Sequence, residues 1–169
     1  GLFKGIQIRT MSPLAHDEVT MQKRTIALPS MTPGTGRSLT WYRFGKPGAR
    51  PKAYLQASIH ANELPGAMAL HHLLPMLVEA ERRGRIRGEI VVVPVVNPIG
   101  LSQLVGNIHL GRYDFLGRDN FNRNWHDLSG AVADRVGERL GRNAGENVAL
   151  IRRAALAALD AMRPANELQ

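Results

Sequence analysis

"EIVVVPVVNP", residues 89–98, is a nearly unbroken run of β-branched residues. A strand with one face in water alternates apolar and polar side chains, whereas a continuous apolar run belongs to a strand covered on both faces, as in an α/β sheet. Pro94 cannot donate to a ladder and weakens the strand locally. Upstream, "AYLQASIH" (53–60) alternates, with Ala53, Leu55, Ala57 and Ile59 on one side and Tyr54, Gln56, Ser58 and His60 on the other, which predicts a strand ending in His60. Between the two strands, Pro65 suits the first turn of a helix. Leu70, Leu73, Leu74, Leu77 and Val78 form its apolar stripe, which stops near Gly84, and Pro75 should kink it. "RTIAL" (24–28) and "SLTWYRF" (38–44), separated by a Pro- and Gly-containing turn, predict a hairpin. Downstream, residues 99–130 follow neither period and read as a long loop, of the kind that is usually functional or disordered. Val148, Ile151, Ala155, Leu156 and Leu159 then repeat at helical spacing to about Met162, and Pro164 ends the pattern.

Composition bounds the reading. The 169 residues, 44% of them hydrophobic, suffice for one core and suggest no second domain. Without cysteine, thiolate ligands and disulfides are excluded. No apolar run approaches the roughly 20 residues of a membrane span, so no membrane partner is expected. The charge of +8 comes from arginine clusters such as "ERRGRIRGE" (81–89) and "DRVGERLGR" (134–142), which could attract phosphates. These clusters hold no interleaved aromatics, and several arginines are spaced to pair with Glu81, Glu89, Asp134 or Glu138, so solvated surfaces are expected rather than a nucleic-acid interface.

"SIHANELPG" (58–66) places His60 and Glu63 three residues apart at the carboxyl end of the first predicted core strand, where ligands gather in open α/β sheets. Imidazole nitrogen and carboxylate oxygen are both good zinc donors. The competing reading is an ordinary helix start, with Asn62 as N-cap and Glu63 as a first-turn acid, and for this short motif alone it is the better one. A second cluster changes the balance. In "NFNRNW" (120–125), Asn122 and Arg123 offer an amide beside a guanidinium fork, groups suited to holding a carboxylate.

The ordered set of His60-x-x-Glu63, Pro-Gly, helix, "VVVPVVNP", Arg112-Tyr113 and "NFNRNW" resembles the zinc carboxypeptidase superfamily, most closely its succinylglutamate desuccinylase and aspartoacylase branch, over roughly residues 53–125. The resemblance implies an α/β fold with a mixed, largely parallel sheet and flanking helices. It implies that His60 and Glu63 are the first two ligands of one Zn2+ per complete active site, and that Asn122 and Arg123 bind the substrate carboxylate. Arg112 is the choice for the arginine that polarises the scissile carbonyl, with Arg118 as competitor. The implied activity is zinc-dependent hydrolysis of the amide bond of an N-acyl amino acid. Alternatives are a metallocarboxypeptidase acting on peptide C-termini and a non-catalytic carboxylate-binding module. A cytoplasmic location is expected.

The family's third ligand, a histidine, and its general-base glutamate have no counterpart after "NFNRNW", where a loop and one helix are expected. Residues 1–169 are therefore expected to be the N-terminal part of a single catalytic domain. His71 and His72 read as structural, His109 and His126 are polar loop residues within reach of a site, and His16 falls in an unpatterned stretch.

Overall fold

The computed structural model describes residues 21–29, 33–117 and 119–162. His16, Arg118 and Pro164 lie outside the described residues. Strands β1 (Gln22–Leu28) and β2 (Arg37–Phe44) form the expected antiparallel hairpin, with Thr25 opposite Thr40. Strand β3 (Lys52–Gln56), helix α1 (Leu64–Arg82) and strand β4 (Glu89–Val93) form the strand–helix–strand unit, and β3 and β4 pair in parallel. The sheet order is β1-β2-β4-β3. The fold is thus α/β with a mixed sheet, whose parallel pairing among the described residues joins β3 to β4 and whose other two pairings are antiparallel.

The "EIVVV" run lies between two neighbours, and Val91, Val92 and Val93 are buried with Phe44 of β2. β4 stops at Val93, one residue before Pro94, because a proline there removes the next donor. β3, at the sheet edge, ends at Gln56 rather than at His60. Ser58 adopts a left-handed backbone, φ 61°, which no extended strand can contain, so His60 sits in a turn beyond the strand. Helix α1 begins at Leu64 and runs through Pro75 to Arg82 as one element. Its leucine stripe is half-buried against β3 and β2. Gly66 allows the close approach, since a Cβ there would stand 3.2 Å from the Cβ of Ala57.

The segment read as one long loop has structure of its own. It contains the short helix α2 (Pro98–Leu101) and a hairpin of β5 (Leu104–Val105) with β6 (Ile108–His109). The buried side chain of Gln103 organises residues 110–115: its amide donates to the carbonyls of Leu110 and Tyr113, and its oxygen accepts from the Phe115 N–H. A side chain that satisfies three backbone groups replaces a ladder, which is why neither period shows in the sequence. Two helices complete the described chain instead of one, α3 (Ser129–Val136) and α4 (Ala144–Asp160), packed together through Val136, Ala154 and Ala158. The first is short and Gly-containing, and its period is too brief to read.

Glu89 pairs with an arginine, Arg43, and with Lys52 across the sheet, and Arg82 and Arg83 pair with Glu79. Glu89 is buried, and the Gly48 N–H that it accepts, together with Lys52 and Arg43, holds its carboxyl below the usual range. A carboxyl lowered in the folded state stabilises fully above its unfolded value near 4.5, and that contribution is lost as pH falls through the folded value. Glu89→Gln should therefore unfold more easily at neutral pH and lose less additional stability on acidification. Urea titrations at pH 7 and pH 3.5 check this, and parallel pH profiles for the two proteins would contradict it.

Candidate active site

The turn that carries His60 and Glu63 is held from three sides. The Asn97 amide donates to the Ile59 carbonyl at 2.7 Å, the Ala61 N–H donates to the Gly111 carbonyl at 2.8 Å, and the Glu63 N–H closes on the His60 carbonyl at 3.0 Å. Asn97 is fully buried, and its oxygen also caps α2 through the Gly100 N–H. One side chain thus ties the end of the β4 segment to the His60 turn. The helix-start reading fails at its own residues: Glu63 occupies the cap position, Asn62 does not, and Glu63 makes no side-chain capping bond.

The Glu63 carboxylate is used elsewhere. Its Oε1 lies 3.1 Å from Nδ1 of the buried His60 ring and also receives a guanidinium hydrogen of Arg112. His60 Nε2 is 2.7 Å from Oδ1 of Asn120. Arg112 and Asn120 come together because the intervening residues close into a small lobe, with the Phe121 N–H donating to the Arg112 carbonyl and Tyr113 bridged to Asn120. Phe121 is buried and anchors it.

A cavity of about 540 Å3 opens here, lined by Gln56 to His60, Glu63, Pro65, Gly66 and Asn122. Among the predicted residues His60, Glu63 and Asn122 share this cavity, and Arg112 joins them through Glu63. Arg123 is exposed, with its guanidinium bonded to the Asn122 carbonyl at 2.6 Å. The Asn122 side-chain oxygen accepts from the Trp125 indole at 3.3 Å.

The remaining histidines divide. His71 and His72 are exposed on α1, edge to face with each other, and the His109 ring lies 3.1 Å from the Gly100 carbonyl in the adjoining hairpin. His126 is exposed. Asn120 lies in "NFNRNW" two positions before Asn122 and carries no local signal of its contact with His60, which is 60 positions away. Sequence reasoning also passed over Ser58, a buried hydroxyl on the cavity wall.

Can these residues hold zinc? Two donors on a tetrahedral ion, each at roughly 2.0–2.2 Å, stand roughly 3.3–3.6 Å apart. The 3.1 Å between His60 Nδ1 and Glu63 Oε1 is within a few tenths of that spacing, so nitrogen and oxygen fit as two ligands. Among the described residues no group of three histidine or acidic side chains converges on one point.

The family model of the succinylglutamate desuccinylase/aspartoacylase catalytic domain matches residues 49–151, more than half of the chain. The chain belongs to this family. A crystal structure from Shewanella frigidimarina NCIMB 400, assigned to succinylglutamate desuccinylase/aspartoacylase, shares the fold at a TM-score of 0.68 and 24% identity, covering 85% of this chain and 38% of that one. A second, assigned to the same family and from Shewanella amazonensis SB2B, gives a TM-score of 0.53 and 27% identity, covering 82% and 44%. The chain therefore spans less than half the length of either relative. Comparison with curated proteins gave no match. The succinylglutamate desuccinylase/aspartoacylase match includes every candidate site residue from His60 to Arg123. No helix among the described residues is long and apolar enough to cross a membrane.

Proposed function

We propose that this member of the succinylglutamate desuccinylase/aspartoacylase family contributes to a zinc-dependent deacylase that hydrolyses the amide bond of an N-acyl amino acid. The observation that carries the reading is the convergence of His60 Nδ1 and Glu63 Oε1, 3.1 Å apart, on a cavity that Asn122 also lines. His60 and Glu63 would hold the metal. A zinc ion held there supplies Lewis acidity to polarise a carbonyl and to activate water. The 540 Å3 cavity is of the size that takes a small molecule.

The chain's own residues do the rest. Arg112 is bonded to the Glu63 carboxylate, and from there its fixed positive charge would stabilise the oxyanion that forms at the scissile carbonyl. Asn122 faces the cavity and would orient the substrate. Arg123 spends its guanidinium on a neutral backbone carbonyl, and a substrate carboxylate would displace it, because a charge-assisted, bidentate bond is roughly twice as strong as a neutral one. The direct test is metal analysis combined with hydrolysis of a panel of N-acyl amino acids. Zinc-dependent turnover lost in His60→Ala and Glu63→Ala is expected. Turnover unaffected by chelation, or by either substitution, would sink the reading.

A further inference from the structure

Two unfavourable features meet at Ser58, on the wall of the cavity. Its backbone is left-handed, φ 61°, a conformation that a residue with a Cβ rarely adopts and for which serine has no special aptitude. The neighbours impose it. Ala57 donates its N–H to the Val93 carbonyl at 3.1 Å and accepts from the Val96 N–H at 2.9 Å, while the Ile59 carbonyl accepts from the Asn97 amide at 2.7 Å. Ser58 stands between these anchors, where glycine would fit without strain.

The side chain is the second burden. Ser58 has 7% of its surface exposed, and its hydroxyl is buried without a hydrogen-bond partner. A buried hydroxyl left unpaired is unfavourable, and nearly all such groups in proteins are satisfied. Glycine would remove both burdens at once, so neither backbone nor packing gives serine a reason to stand here. Strain of this kind gathers at active sites and ligand clamps, where the bound molecule completes what the free protein leaves open.

We infer that Ser58 sets the acyl-group specificity of the site: as substrate binds, its hydroxyl turns about the Cα–Cβ bond into the cavity and donates to a neutral oxygen that the acyl chain carries beyond the scissile carbonyl. The assignment to the acyl end rests on the deacylase reading, in which Asn122 and Arg123 take the amino-acid carboxylate; the strain at Ser58 does not. Ser58 and Gln56 reach the cavity from the end of β3, and the Gln56 carboxamide, whose oxygen accepts from the Tyr54 hydroxyl at 2.8 Å, keeps its nitrogen as a second donor. No lysine or arginine among the described residues lines the cavity. A second carboxylate would find no counter-charge there, whereas a ketone, hydroxyl or amide oxygen needs only a donor.

The test uses the full chain and N-acyl amino acids that differ only in the acyl group: levulinoyl, which carries a ketone, pentanoyl, which lacks it, and succinyl, which replaces it with a carboxylate. Wild type, Ser58→Gly and Ser58→Ala are compared by thermal melting without ligand and by the dissociation constant of each ligand. Wild type should bind the levulinoyl ligand about 3- to 12-fold more tightly than the pentanoyl one, the range that a neutral hydrogen bond supplies, and in both variants the preference should fall to within about twofold. Without ligand, Ser58→Gly should melt about 2–4 °C higher than wild type, since strain and unpaired hydroxyl go together. A merely structural serine gives the opposite sign, with both variants destabilised and all ligands weakened alike. Ser58→Gly that melts lower than wild type overturns the inference, as does a preference absent from wild type or surviving the substitutions. Tighter binding of the succinyl than of the levulinoyl ligand overturns the neutral oxygen. If Ser58→Ala does not fold, Ser58→Gly decides. A wild type that prefers the levulinoyl ligand but hydrolyses none of the three sinks the deacylase reading and leaves the contact standing, whereas one that binds none overturns the contact.

Discussion

Arg123→Ala in the active enzyme should weaken binding of an N-acyl amino acid with a free carboxylate by about 10- to 150-fold, and binding of the corresponding amide hardly at all. The estimate comes from the roughly 1.5–3 kcal/mol that a hydrogen bond to an ionised group contributes, which a neutral amide cannot recover. In the structure the Arg123 guanidinium is exposed and, among the described residues, engaged by the neighbouring Asn122 carbonyl, so its removal leaves no buried charge unpaired and should cost little stability. That separation makes the experiment clean, because a changed KM would not be a side effect of unfolding. Arg123→Lys should be nearly as poor, since an ammonium keeps the charge and loses the planar fork that meets both carboxylate oxygens. Equal losses for acid and amide would remove Arg123 from the carboxylate role and leave Asn122, which does line the cavity, as the sole candidate of the pair.

How far the site could be read from the sequence depends on the range of the interactions that build it. The β4 core strand was legible because burial on both faces writes itself into consecutive residues, and helix α1 because an apolar stripe repeats from Leu70 to Val78 within its 19 residues. The end of β3 was not, because one left-handed residue, Ser58, ends it, and serine carries no signal for that conformation. The lobe between Arg112 and Phe121 was illegible for a different reason. It is held by the buried Gln103 side chain and by single backbone bonds between distant segments, neither of which imposes a period. His60 and Glu63 could be singled out because their donor chemistry is joined by the ordered motifs that follow, Arg112-Tyr113 and "NFNRNW". Asn120 could not, since asparagine is common in loops and the ring that it meets lies 60 positions earlier.

The same logic picks out a residue with no side chain at all. Gly111 is buried, and a Cβ placed on it would stand 2.5 Å from the Asn62 nitrogen and 2.9 Å from the Ala61 carbonyl carbon. Its own carbonyl accepts from Ala61, and a Cβ on the adjacent Gly100 would lie 2.9 Å from that carbonyl oxygen. Backbone segments 59–62 and 111–112 are therefore closely stacked, and the clash of a Cβ on Gly111 is with backbone rather than with a flexible tip that could yield. Gly111→Ala must push the 111–123 segment off the His60 turn. Overpacking of this kind costs typically 1–3 kcal/mol, and it moves Arg112, Asn120 and Asn122 together, whereas a 1 Å misplacement can cost about 100-fold in rate. We expect a lowered melting temperature and at least a 100-fold loss of turnover that persists at temperatures where circular dichroism shows the variant folded. Gly130→Ala is the control. Gly130 lies in α3 with nothing within 4 Å of the added Cβ, so the identical chemical change should there stabilise by about 0.5–1 kcal/mol through helix propensity and leave turnover alone. A Gly111→Ala protein that matches wild type in both stability and turnover would mean that the backbone contact between the two halves of the site does not hold its geometry.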